Sequence, residues 1–195
     1  MNQTRMTDVR IELVAADNLV DIVASGFDAG LRFGEHIAAD MIAVPIGPRH
    51  RFAVVATPEH FQRYPIPRSP QELHAHPCIR YRFLGGALYS WEFQRGADEV
   101  EVEVDGPLTL SEQDLMVDAA LAGAGLAYVF EGQVEALIAQ GRLVRVLEDW
   151  CPLYPGFYIY YPGRRQLPAP LKAFIDFARS SGSKSPRRRP LRGAS

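Results

Sequence analysis

The stretch from Asp17 to Gly34 constrains this chain more than any other. It specifies a short helix, a glycine stop and then a buried strand that ends on an arginine. Asp17 is a good N-cap, Leu19, Val20, Ile22 and Val23 form an apolar face, and Gly26 can close the helix in the left-handed conformation. Phe27 to Leu31 then enters a sheet with Arg32 near its carboxyl end. Ligands of open α/β sheets sit outside the carboxyl ends of the strands, so Arg32 stands where a small anion can be held.

The rest of the pattern alternates strands with helices, which indicates an α/β architecture. Val9, Ile11 and Leu13 alternate with Arg10 and Glu12 and predict a strand over 9–14. Residues 41–46 form an apolar run, and 51–56 a further strand. Thr57-Pro58 opens a short helix, and Ser69-Pro70-Gln71-Glu72 has the pattern of a capping box. After a strand from Cys78 to Phe83, Trp91–Gln94 and Glu99–Val104 read as a hairpin across Arg95 to Asp98. Val100, Val102 and Val104 face one side of it; Glu99, Glu101 and Glu103 face solvent. Leu108-Thr109-Leu110 is followed by a helix capped at Ser111, with Leu115, Met116, Ala119 and Ala120 on its apolar face. Gly123 and Gly125 lead into a buried strand from Leu126 to Phe130. A helix around Val134, Leu137 and Ile138 stops at Gly141, and strands follow at 143–146 and 157–161. Leu171, Phe174, Ile175 and Ala178 have the spacing of a last amphipathic helix.

With 47% hydrophobic residues, a sizeable core is available to the 195-residue chain. The net charge of −2 gives no general bias toward nucleic acid. Cys78 and Cys151 lie far apart and suggest packed, reduced thiols rather than a disulfide framework. No apolar run is long enough to span a membrane and Met1 to Asp8 lacks a signal-peptide core, so a cytoplasmic location is expected. His74, His76 and Cys78 lack a second ligand pair, so no metal or other cofactor is expected. No serine, cysteine or lysine stands in a nucleophile motif, and no enzymatic activity is expected.

These segments, in this order, resemble the effector-binding domain of LysR-type transcriptional regulators. The likeness is carried by 26–34, by Val54 to Phe61, by Leu73 to Ile79, by Ala119 to Ala127 and by Gly141 to Trp150. It implies a two-lobed, type II periplasmic-binding-protein-like α/β fold. Lobe one is expected from 1–53 and 157–180, lobe two from 54–156, and a disordered basic tail over 181–195. Strands near 51–56 and 157–161 are expected to act as hinges. Such regulators carry a helix-turn-helix and a first strand-helix unit upstream of these segments. The sequence given opens after both, so lobe one is expected to be incomplete and the chain poorly soluble or oligomeric alone. The implied function is effector sensing coupled to transcription in the intact protein. The implied partners are a small-molecule effector and other LysR-type chains, with DNA reached only through the helix-turn-helix. A freestanding solute-binding protein of the same fold is the alternative, as is a regulator fragment that only binds partners.

The candidate ligand-binding residues are Asp17, Arg32, Phe83, Leu84, Ser111, Tyr128 and Phe130. The planar fork of Arg32 suits a carboxylate, against which stands an ion pair with Asp28 or Glu35. Ser111 combines a cap with a helix N-terminus that favours anions, although Glu112 and Asp114 oppose a strongly anionic ligand. Phe83, Leu84, Tyr128 and Phe130 end strands that border the cleft in the family, and each aromatic is also a candidate core residue. Asp17 is a polar cleft candidate that doubles as an N-cap. Phe130 replaces a proline usual in the family, which suggests a differently shaped strand end.

Overall fold

The structure is a computed structural model and describes residues 10–14, 22, 24–32, 40–163 and 167–181. These fall into two compact units. Unit 1 comprises the described residues of Met1–Val14, Val20–Arg49 and Pro155–Ser195; unit 2 comprises His50–Tyr154.

Unit 1 is built on β1 (Gly30–Arg32), β2 (Met41–Ile46) and β10 (Phe157–Pro162), in the order β1-β10-β2. β10 is antiparallel to both neighbours, with Leu31 opposite Ile159 and Ile159 opposite Val44. Ile159 is consequently buried at the centre of the sheet. The amphipathic α4 (Ala169–Ser181) supplies the buried Ile175. It runs to Ser181, where the basic tail was expected to begin; 182–195 lie outside the described residues. Most of the helix expected from Asp17 lies outside the described residues. Gly26 itself has the left-handed φ of 76° expected of it, and the Phe27 N–H donates to the Ile22 carbonyl at 2.9 Å. The expected strand at 9–14 is not: residues 10–14 form none, and Leu13 is 73% exposed. Alternation specifies a strand only where a neighbour takes up its N–H and C=O groups.

Unit 2 is a mixed sheet with both faces covered. β4 (Ile79–Tyr81) is parallel to β7 (Leu108–Leu110). A parallel bridge, Cys78 to Leu126, joins β4 to β8 (Ala127–Phe130). β8 lies antiparallel to β3 (Phe52–Ala56), which is antiparallel in turn to β9 (Val144–Val146). The continuous order is therefore β7-β4-β8-β3-β9, with β3 alone reversed. At the β4–β8 junction the chains approach so closely that a Cβ on Gly125 would lie 2.3 Å from the Pro77 carbonyl oxygen, and its φ of 153° also favours glycine.

One face of this sheet is covered by α2 (Gln113–Leu121) and α3 (Glu131–Ala139). Ala53, Val55, Met116, Ala120, Val129, Val134 and Leu143 form that core. The other face packs against the hairpin of β5 (Trp91–Arg95) and β6 (Asp98–Val102) around Val54, Trp91, Phe93, Leu126, Tyr128 and Trp150. Two covered faces explain why β3 and β8 are apolar without alternation. Along the hairpin the expected alternation holds: Val102 and Val104 are buried, and Glu99, Glu101 and Glu103 are exposed.

Two local expectations need correction. Leu115 is 51% exposed, and Val117 takes its place on the buried face of α2. Ser111 does not cap α2, because the helix begins later, with Glu112 at the N-cap and no side-chain cap bond.

Candidate functional site

Because β4, β7 and β8 run in one direction, their carboxyl ends share one edge of the unit 2 sheet. The reversed β3 contributes its amino end to that edge. This topology brings Phe83, Leu84, Ser111 and Phe130 to the same side of unit 2.

The segment after β4 is a tight turn. Arg82 N–H donates to the Leu110 carbonyl at 2.7 Å, tying the end of β4 to the end of β7. Phe83 N–H then donates to Ala87 O at 2.9 Å, and Gly86 N–H to Phe83 O at 2.8 Å. Leu84 projects at the tip and is 73% exposed. Phe83 meets Tyr81 and Tyr89 edge to face, at 5.3 and 5.7 Å between centroids. Ser111 follows directly on β7 and is exposed.

Phe130 ends β8 half-buried, stacked on Phe52 at 4.6 Å and edge-on to His50 at 5.6 Å. Its φ is −63°, the angle a proline ring imposes, so the strand end keeps the shape proline would give it. Below it, Tyr128 is 2% exposed. It stacks on Phe52 at 4.5 Å and Trp91 at 5.3 Å, and its hydroxyl donates to the Glu92 carbonyl at 2.5 Å. Burial pushes its ionisation far above the ordinary tyrosine range. Of its two readings, Tyr128 fulfils the core one: it supports Phe52 and, through it, Phe130.

Two cations at this edge, Arg51 and Arg145, are committed to internal pairs. Arg51 forks onto Glu131, with Nε donating to Oε2 at 2.8 Å and Nη2 to Oε1 at 2.7 Å. Arg145 also bonds Glu131, and Glu148 accepts from Arg51 at 3.1 Å. The bond from Arg51, more than any other influence, holds the Glu131 carboxyl below its usual range.

Arg32, in unit 1, is the last residue of β1 and half-buried, with its guanidinium 5.8 Å from the Tyr160 ring centroid. Among the described residues no carboxylate pairs with it, Asp28 included; Glu35 and Asp17 lie outside them. Cys78 and Cys151 are free and buried, and burial pushes both thiols up to about 12, far from a reactive thiolate. Among the described residues no group of three or more His, Cys, Asp or Glu could hold a metal, and no helix is long and apolar enough to cross a membrane.

Sequence reasoning missed Phe52 and His50 as members of this edge. The available signal was the antiparallel pairing of β3 with β8, which sets Phe52 opposite Phe130.

A sheet of this order gathers its parallel carboxyl ends at one aromatic edge, the place where open α/β sheets bind ligands. Comparison with known proteins agrees. The LysR substrate binding domain family matches residues 3–183. A Pseudomonas aeruginosa protein named as a candidate transcriptional regulator is 52% identical over 169 residues, covering 86% of this chain and 55% of its own. The uncharacterized HTH-type transcriptional regulator YcaN of Escherichia coli is 42% identical over 184 residues, covering 94% of this chain and 60% of its own. The chain thus spans less than two thirds of these relatives. Among solved structures, the regulatory domain of AphB from Vibrio vulnificus superposes with a TM-score of 0.70 at 25% identity, covering 86% of this chain and 81% of that one. The chain belongs to the LysR substrate-binding domain family and has its type II periplasmic-binding-protein-like fold.

Proposed function

We propose that this chain is the effector-sensing domain of a cytoplasmic LysR-type transcriptional regulator. A small molecule binds at the carboxyl edge of the unit 2 sheet and alters how the intact protein controls transcription. One observation carries this reading: the strand topology gathers Phe83, Leu84, Ser111 and Phe130 at one edge, beside Phe52 and His50. Aromatic walls with few polar groups suit a small, largely apolar ligand. Within unit 1, Arg32 is retained separately as an anion-recognising residue, because its planar fork suits a carboxylate. Asp17 is retained as a polar contact, and Ser111 as a hydroxyl donor rather than a cap. Coupling to DNA runs through a helix-turn-helix and through association with other LysR-type chains. The effector shifts an equilibrium between arrangements of the domain, by as much as its affinities for them differ.

The test is a thermal-shift screen of small aromatic and aliphatic carboxylates, followed by calorimetry on the hits. Binding that Phe130→Ala weakens about tenfold or more, about 1.4 kcal/mol, without unfolding the chain is expected. Hits whose affinity is indifferent to Phe130, Phe83 and Arg32 together would overturn the assignment of the site.

A further inference from the structure

Away from the carboxyl edge, unit 2 holds a pair of histidines that neither that edge nor the proposed function uses. His60, the first residue of α1 (His60–Arg63), and His76, which closes the 3-10 turn Pro70–Ala75, are 6% and 5% exposed. His60 Nε2 lies 3.1 Å from His76 Nδ1, and the rings are stacked with centroids 5.4 Å apart. Tyr64 stacks on His60 at 4.8 Å. A hollow of about 300 Å³, bounded by Thr57, Glu59, His60, Arg63 and Tyr64 on one side and Pro77 with Leu121–Gly123 on the other, gives solvent a path to the pair.

We propose that the His60–His76 pair is an acid-sensitive latch that holds α1 against the turn delivering β4. Two neutral imidazoles carry two N–H groups on four ring nitrogens: one N–H donates across the bridge to a bare nitrogen of the other ring, and of the two outward nitrogens one is bare and one carries a hydrogen. Removing that asymmetry is what opens the latch. A first added proton takes an outward nitrogen and leaves the bridge intact. A second puts N–H against N–H, so the bridge is lost and two cations face each other. The surroundings set when this happens. Burial holds both rings below the ordinary histidine range, and Arg63 on α1 opposes charge on His60. Glu72, on the 3-10 turn, favours charge on His76, and Glu59 and Tyr64 line the hollow. Cys78, on the strand that follows, is a neutral thiol. His74 is exposed and stands outside the pair.

The latch matters because of where His76 lies. Pro77 and Cys78, next in sequence, form the β4–β8 junction, with Leu126 N–H donating to Pro77 O at 2.9 Å and Cys78 N–H to Asp105 O at 2.9 Å. Release of α1 therefore loosens the root of the strand whose far end presents Phe83.

The experiment is imidazole nitrogen NMR with amide hydrogen exchange on the full chain, from about pH 7.5 to about pH 4.5. The expected result has three parts. His60 and His76 titrate as a coupled pair below the ordinary histidine range. One bridging N–H is seen at neutral pH. Exchange over 60–64, corrected for its intrinsic pH dependence, rises about tenfold or more as the pair charges. Two rings titrating independently within the ordinary histidine range, or protection in α1 that ignores their titration, would overturn the proposal on the wild-type chain alone. His60→Phe keeps a ring in the stack but removes the bridge, and is expected to abolish the pH dependence of exchange in α1; an unchanged dependence in that variant refutes the latch.

Discussion

His50 and Tyr154, the first and last residues of the 50–154 segment of unit 2, exchange both of their backbone hydrogen bonds, at 3.2 and 2.8 Å. The two ends of that segment are thus tied to each other before β3 begins. The pairing closes a loop of about a hundred residues at its base, a long-range contact with the loop-closure entropy that entails. His50→Pro removes one of the two donors and leaves the Tyr154 carbonyl without it. A loss of about 1–3 kcal/mol is expected, read as a lower thermal midpoint with faster amide exchange at Phe52 and Tyr154.

A second prediction concerns Gly156, just past that bridge. A Cβ there would lie 2.6 Å from Ile46 O, 2.7 Å from Pro48 O and 3.1 Å from Gly47 O. All are backbone atoms, so no side-chain rotation relieves the clash. Gly156→Ala is expected to destabilise by about 1–3 kcal/mol or more. Gly132→Ala in α3, where an added Cβ meets nothing within 4 Å, is expected to be neutral or stabilising by up to about 1 kcal/mol. Parallel thermal melts of the two variants check the opposite signs.

These residues also show where sequence reasoning reaches and where it stops. Gly141 was legible as a helix stop, and Gly26 as a left-handed glycine, because left-handed closure is a local property; Gly141 N–H indeed donates to Ile138 O at 2.9 Å with φ at 70°. The apolar core of β3 and β8 was legible for the same reason, since burial on both faces leaves an uninterrupted apolar run. Residues 10–14 were misread as a strand because alternation carries no information about a neighbour. Ser111 was misread because Glu112 and Gln113 are equally compatible with the first turn, so the cap could shift along the chain. Phe83, Ser111 and Phe130 could be proposed from the sequence, but their common edge could not. It depends on β4, β7 and β8 running in one direction, which no spacing encodes. The His60–His76 bond and the Arg51–Glu131 fork join positions 16 and 80 residues apart, beyond any motif.

The Arg51–Glu131 fork yields a pH prediction. The folded carboxyl of Glu131 titrates below its unfolded value of 4.5, chiefly through the bond from Arg51. A depressed folded value means that its contribution is complete above the unfolded value and is lost as pH falls through the folded one. Glu131→Gln keeps the shape but leaves Arg51 and Arg145 with Glu148 alone as their shared countercharge. With its side chain 27% exposed, solvent screening limits the expected cost at neutral pH to about 1–2 kcal/mol. Denaturant unfolding at stepped pH should show the gap between wild type and variant closing below about pH 4.

The last prediction separates the two roles of Phe130, shaping the strand end and walling the proposed site. Its register in the antiparallel ladder places Glu131 opposite Arg51 in a hydrogen-bonded pair, with Glu131 N–H donating to Arg51 O at 2.9 Å. Phe52 and Phe130 therefore form the alternate, non-bonded pair, and the Phe130 N–H points away from β3. With φ already at −63°, a proline there loses no bond to β3 and needs no change of backbone angle. Phe130→Pro and Phe130→Ala both forfeit the stacking on Phe52, so both are expected to lower the thermal midpoint. Both are expected to bind an effector more weakly than wild type, because the aromatic wall has gone in each. Thermal melts and calorimetry on the two variants, with a ligand from the carboxylate screen, check both halves. A proline variant that unfolds while the alanine variant stands would show that the Phe130 N–H is bound elsewhere in the fold, and that shape rather than ligand contact fixes this position.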